Sequence, residues 1–184
     1  MAIHGHAIVS DDDRIAAADG TVPAVLRNAA DWARFQAALD DAAVTVLGRN
    51  GHEANPNRKR RNRLVVSSSA RGVERREDAW WWNPAQMAVE TALTCAAPAG
   101  GIAAVVGGRQ VFDLFLRLGF DTFHLARAPG AAIPDGIAVF SGVRDGLSAD
   151  EVLARNGLVA GPSVELDPVA GVRLVIWRRE RAQP

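Results

Sequence analysis

Residues 101–127 read "GIAAVVGGRQVFDLFLRLGFDTFHLAR": an apolar run, two glycines, an amphipathic stretch, a third glycine and a second apolar run. In the middle segment Val111, Phe112, Phe115 and Leu116 fall on one helical face, and Gly119 is a natural stop. Strand, helix, strand is the simplest reading, and it commits the chain to a sheet covered by helices. The alternation recurs along the chain. Strand-like runs lie at 6–9, 43–48, 63–68, 79–82, 101–106, 121–126, 136–140 and 171–179. A helical pattern over 31–42 puts Trp32, Phe35, Ala38 and Leu39 on one face, and another over 83–96 opens with Asn83-Pro84, suited to a first turn. The last two runs are joined by a long glycine-containing segment, which predicts an antiparallel finish. The expected architecture is α/β: a single domain over 1–184, its mixed, mostly parallel sheet flanked by helices and ending in an antiparallel C-terminal strand pair.

The bulk properties narrow the partners. Acidic and basic residues number 21 each, so charge points to no polyanionic partner. The one dense basic run, Arg58-Lys59-Arg60-Arg61, reads first as a solvated turn, and no broad basic face with interleaved aromatics supports nucleic-acid binding. A single cysteine, Cys95, excludes an internal disulfide framework and fits a reducing compartment. No secretory signal is visible and no apolar run approaches membrane-spanning length, so a cytoplasmic protein that touches no membrane is expected. His4, His6, His52 and His124 lack the companions that would complete a metal site, and none is expected. Asp11-Asp12-Asp13 fits a polar turn. In "AWWW", alternation sends Trp80 and Trp82 to one face of a buried strand and Trp81 to the other. Monomer and homodimer both remain open.

On such sheets, ligands bind beyond the carboxyl ends of the strands. Three strand ends carry suitable groups: Gly48-Arg49-Asn50, Ser67-Ser68-Ser69 and Gly107-Gly108-Arg109. Guanidiniums, hydroxyls and bare backbone N–H groups suit a phosphorylated ligand. Gly107-Gly108 has two readings, a turn too tight for a Cβ or a close approach of backbone to ligand. Asp31 also has two, the N-cap of the helix that follows or a functional carboxylate.

The order "NAADWARF…VTVLGRNGHEA…RRNRLVVSSS…VVGGRQVFDLFL…FHLA" resembles the dihydrofolate reductase superfamily across roughly residues 5–127. That superfamily includes riboflavin-pathway reductases acting on a ribosylaminopyrimidine. The resemblance implies an NADPH-dependent reductase of a dihydropterin, whether dihydrofolate-like or dihydromethanopterin-like. The alternatives are the riboflavin-type reduction and a non-catalytic nucleotide-binding homologue. It assigns Ala7, Gly48, Arg49, Asn50, Ser67, Ser68, Gly107, Gly108, Arg109 and Gln110 to the cofactor, with Arg49 on the 2′-phosphate. It makes Asp31 the catalytic carboxylate that orients and polarises the pterin, Phe35 the ring packed over the substrate, and Arg61 the clamp on a tail carboxylate. The chain departs from the family pattern at Ala16, Ala24, Phe112 and Leu125, the last standing where a carboxylate-bonding threonine is expected. The cofactor half therefore matches better than the substrate half.

Overall fold

A computed structural model of the protein describes residues 1–130 and 132–180. In chain order the elements are β1 (Ala2–Val9), β2 (Arg14–Ala16), a 3-10 turn (Ala24–Leu26), α1 (Ala29–Asp41), β3 (Val44–Gly48), α2 (Arg49–Ala54), β4 (Arg63–Val66), β5 (Val73–Arg76), β6 (Ala79–Trp82) and α3 (Val89–Ala96). There follow β7 (Ile102–Val105), α4 (Arg109–Leu118), β8 (Thr122–Arg127), β9 (Ile137–Ala138), α5 (Ser141–Arg144), α6 (Ala149–Arg155), β10 (Leu158–Asp167) and β11 (Val172–Arg179). The main sheet runs β10-β11-β8-β1-β7-β3-β4-β6-β5, and β2 pairs with β9 in a separate ribbon. From β8 to β6 every pairing is parallel, while β11, β10 and β5 join antiparallel.

The α/β architecture is the expected one, with three local corrections. The antiparallel finish exists, but the partner of β11 is β10, not the run at 136–140, of which two residues form β9 on the small ribbon. Pro84 does not start a helix: Asn83 organises a turn, accepting from the backbone N–H of Ala85, and α3 begins only at Val89. Asp31 does not cap α1. Asn28 does, its Oδ1 accepting from the N–H groups of Ala30 and Asp31 at 3.0 Å each.

The interior strands are covered on both faces, which is why Val44, Val46, Leu64 and Val105 read as apolar runs and are fully buried. Beneath α4, Phe112, Phe115, Phe120, Phe123 and Phe140 interlock, most of them edge to face or tilted. Gly5 on β1 is required by this cluster, because a Cβ there would sit 2.2 Å from the Phe123 ring. The tryptophans alternate as expected: Trp82 and Trp80 join the main core and Trp81 the opposite cluster, where Arg76 stacks on it at 4.6 Å.

One topological fact positions the site. From β1 the chain crosses to β3, and from β7 it crosses back to β8, so adjacent β1 and β7 send their crossovers in opposite directions. Right-handed connections then put α1 and α4 on opposite faces and leave a crevice at the carboxyl ends of β1 and β7.

Candidate active site

A cleft of about 1530 Å³ opens at that switch point. Residues named from the sequence converge on it: Ala7, Asp31, Phe35, Gly48, Arg49, Asn50, Ser67, Ser68, Gly108, Arg109 and Gln110 all line its wall. Gly107 and Arg61 do not.

The α4 half presents backbone donors and guanidiniums to the cleft. Gly108 caps α4, and a Cβ added to it would meet nothing within 4 Å, so bare backbone faces open cleft. The next two N–H groups, of Arg109 and Gln110, lie in the first turn of a ten-residue helix, where the backbone offers unpaired donors and a partial positive charge. The Nε of Arg109 is buried without a hydrogen-bond partner among the described residues. In the same half, where the Gly48 N–H donates to the Gly107 carbonyl at 3.1 Å, Arg49 is half exposed and only loosely matched by Glu53 at 3.8 Å. Ser67 Oγ accepts from the backbone N–H of Ser69 at 3.2 Å, holding the strand-end turn in place. Gly107 answers to packing instead. Its φ is +89°, and a Cβ would lie 2.7 Å from the Phe112 ring. Packing thus accounts for Gly107, while Gly108 is left with open space beside its backbone. These residues fit NADPH: an unpartnered guanidinium, open backbone and a helix N-terminus meet where a pyrophosphate needs donors.

The α1 half is different in kind. Asp31, Arg34 and Phe35 project from successive positions of one helical face into the cleft. Burial pushes the Asp31 carboxyl above the usual carboxylate range, and the nearby Arg34 charge partly opposes that. Behind them stand His6 on β1 and His124 on β8, direct register partners whose rings stack at 4.5 Å and 3°. Arg34 Nη2 donates to His124 Nδ1 at 2.7 Å, which leaves the His124 proton on Nε2. Burial, then neighbouring positive groups, holds His6 down at about 4 and His124 at about 3, so both imidazoles are neutral near pH 7. Phe35 lies edge-on to His6, and Trp32, 60% exposed at the rim, lies 5.7 Å from Phe35.

Two substrate-side expectations are corrected. Leu125 does not face Asp31; the pleat turns it into the core on the α4 side, and the β8 residue toward α1 is His124. Arg61 does not reach the cleft. Its guanidinium donates to Asp40 Oδ1 at 2.6 and 2.9 Å and to Gln36 at its backbone oxygen and its Oε1, all on the far side of α1. Arg34, His6 and His124 were not singled out as site residues from the sequence. The spacing of Arg34 from Asp31 (i, i+3) was the available signal.

No family model matches the chain, and no curated protein matches it. Solved structures do. A putative riboflavin biosynthesis protein from Shewanella sp. PV-4 superposes with a TM-score of 0.65 at 16% identity, over 98% of this chain and 100% of its own. A diaminohydroxyphosphoribosylaminopyrimidine deaminase/5-amino-6-(5-phosphoribosylamino)uracil reductase from Thermotoga maritima gives 0.65 at 18%, over 97% of this chain. The chain has the dihydrofolate reductase-like fold. Its match to the Thermotoga protein spans 56% of that protein's length. In this dihydrofolate reductase-like frame, no helix among the described residues is long and apolar enough to cross a membrane, and no cluster of three metal-ligating side chains occurs among them.

Proposed function

We propose that the protein is an NADPH-dependent reductase working as one domain, and that its substrate is a ribosylaminopyrimidine-type heterocycle. The observation that carries the reading is a single cleft with two unlike halves: Arg49, Gly108 and the start of α4 on one side, a half-buried carboxylate backed by rings on the other. The solved riboflavin-biosynthesis proteins that share the fold favour the aminopyrimidine. The commitment of Arg61 to Asp40 removes the expected clamp for a glutamate tail. A second reading, reduction of a dihydropterin, is favoured by Asp31 itself, since a carboxylate pairs bidentately with an amino group and adjacent ring N–H.

When bound, NADPH supplies the hydride. Arg49 and the serines of the β4 end would hold its phosphate end, and the open backbone at Gly108 and the first turn of α4 would supply donors to its pyrophosphate. Asp31 orients the substrate ring by accepting two hydrogen bonds. Because burial raises its pKa, its Oδ holds a proton closer to neutral pH than a surface carboxyl does. Leu26, Phe35 and Trp32 exclude water from the ring's outer side.

The test is a set of mixtures of protein and NADPH with 5-amino-6-ribosylaminouracil, its 5′-phosphate, or a dihydropterin, followed at the nicotinamide absorbance. Oxidation with the aminopyrimidine supports the first reading and oxidation with the dihydropterin alone the second. NADPH bound but consumed with none of them overturns both in favour of a non-catalytic nucleotide-binding protein.

A further inference from the structure

The cleft contains a cation that neither half of this assignment uses. Arg34 lies in the α1 half, on the same face as Asp31, yet no carboxylate oxygen lies within 4.0 Å of it among the described residues, whereas Arg61, Arg76 and Arg127 all have such partners. Its one hydrogen bond to the protein is to a neutral imidazole, through Nη2. A guanidinium carries five N–H donors in a fixed fork, so four have no protein acceptor among the described residues. The group is not held there by chance. His124 accepts from it, His6 stacks on His124, and both rings are fixed by the register of β1 on β8. The cation is half-buried, and its open side is the cleft, where the free donors can meet a ligand.

We propose that Arg34, held by His124, anchors an anionic oxygen-bearing group of the substrate, a phosphate or a carboxylate. The inference rests on the reductase reading and deepens it. The role that the sequence resemblance gave to Arg61 passes to a residue one helical turn from Asp31, inside the cleft. A substrate that satisfies both anchors presents N–H groups to Asp31 and acidic oxygens to Arg34. Burial lowers the Arg34 pKa and attraction from Asp31 only partly opposes that, but a guanidinium starts so far above neutrality that the fork stays charged at all working pH values. His124 acts as a positioning residue, since it orients the fork without an ionic bond that would neutralise it.

The experiment is ligand binding in the presence of saturating NADP⁺, which occupies the arginines of the α4 half, read by the fluorescence of rim residue Trp32 or by calorimetry. Four ligands are compared: 5-amino-6-ribosylaminouracil with and without its 5′-phosphate, and a pterin with and without a glutamate tail. In the wild type, at least one anionic form should bind about 10- to 100-fold more tightly than its uncharged counterpart. Which pair shows the gap identifies phosphate or carboxylate. Arg34→Met should abolish the gap between the paired anionic and uncharged ligands, Arg34→Lys should restore part of it, and Arg61→Ala should preserve it. No gap in the wild type, or a gap that survives in a folded Arg34→Met, overturns the anchor. Failure of NADP⁺ itself to bind would instead overturn the reductase reading, which keeps the two outcomes separate.

Discussion

Replacing Gly107 by alanine should unfold far more of the protein than replacing Gly108 by valine, although the two glycines are neighbours. The added methyl at Gly107 meets two penalties. Its φ of +89° is a conformation that L side chains rarely adopt, which costs about 1–3 kcal/mol. The new Cβ would also lie 2.7 and 2.9 Å from two atoms of the Phe112 ring. That ring cannot retreat, being 1% exposed with Phe123 and Phe140 centred 5.4 and 6.0 Å away, so overpacking adds about 1–3 kcal/mol. The sum, about 2–6 kcal/mol, is a large part of the stability of a domain this size. At Gly108 the φ of −75° is ordinary and the Cβ position is open, so stability should change by only about 0.5 kcal/mol. The branched side chain would instead fill the space that the cofactor's backbone approach requires. Urea unfolding monitored by tryptophan fluorescence, paired with NADP⁺ titration, measures both effects. A Gly107→Ala midpoint equal to wild type refutes the packing argument, and a Gly108→Val protein that binds NADP⁺ normally refutes the ligand argument.

Three further outcomes follow. Asp31→Asn should leave folding intact, because Asn28 rather than Asp31 caps α1, while kcat/KM for the reduced substrate falls by orders of magnitude; near-normal turnover would remove Asp31 from the mechanism. Arg61→Ala should lower the urea midpoint by breaking the bonds to Asp40 and Gln36 yet leave the KM of tailed and tailless ligands in their original ratio; a selective rise for the tailed ligand would return the clamp to Arg61. Acid should destabilise the protein through the stacked histidines. Their folded-state pKa values, about 4 for His6 and about 3 for His124, lie below the ordinary 6.5, so the unfolded chain binds more protons between those values. The stabilisation is complete above pH 6.5 and is lost as pH falls, by about 3 kcal/mol near pH 4 for one ring. A urea midpoint flat from pH 7 to 4 would contradict this.

Much of this fold was legible in the chain because its interior strands are buried on both faces and its helices carry one apolar stripe. The run at 101–127 gave β7, α4 and β8 within a residue or two, and Gly119 does end α4, with φ +104°. What escaped were short elements, β2, α2, α5 and α6, and the sheet edges. β10 reads "LVAGPSVELD", with Gly161 and Pro162 interrupting any alternation; an edge strand tolerates a proline, and the register shifts between Ala160 and Ser163. β5, "VERR", is a polar edge strand whose arginines cover Trp80 and Trp81. The α4 wall of the cleft was readable because it is written in contiguous strand-end residues. The substrate half was not, because it is assembled from single side chains on α1, β1 and β8. His124 and Leu125 differ by one residue, and the pleat alone decides which of them meets Arg34 on α1. Arg61 looked free as one of a basic run, and only the packing of α1 against the β4 approach reveals Asp40 as its partner.

The account turns on whether the α4 half of the cleft recognises the 2′-phosphate of NADPH. Titrating the wild type and Arg49→Ala with NADPH and with NADH, following nicotinamide fluorescence, tests this directly. A charge-assisted guanidinium–phosphate contact is worth about 1.5–3 kcal/mol, so wild type should prefer NADPH by about 10- to 100-fold. Arg49→Ala should lose most of that preference while its affinity for NADH stays put. Equal binding of the two nucleotides to the wild type, or equal losses for both in the variant, would contradict it.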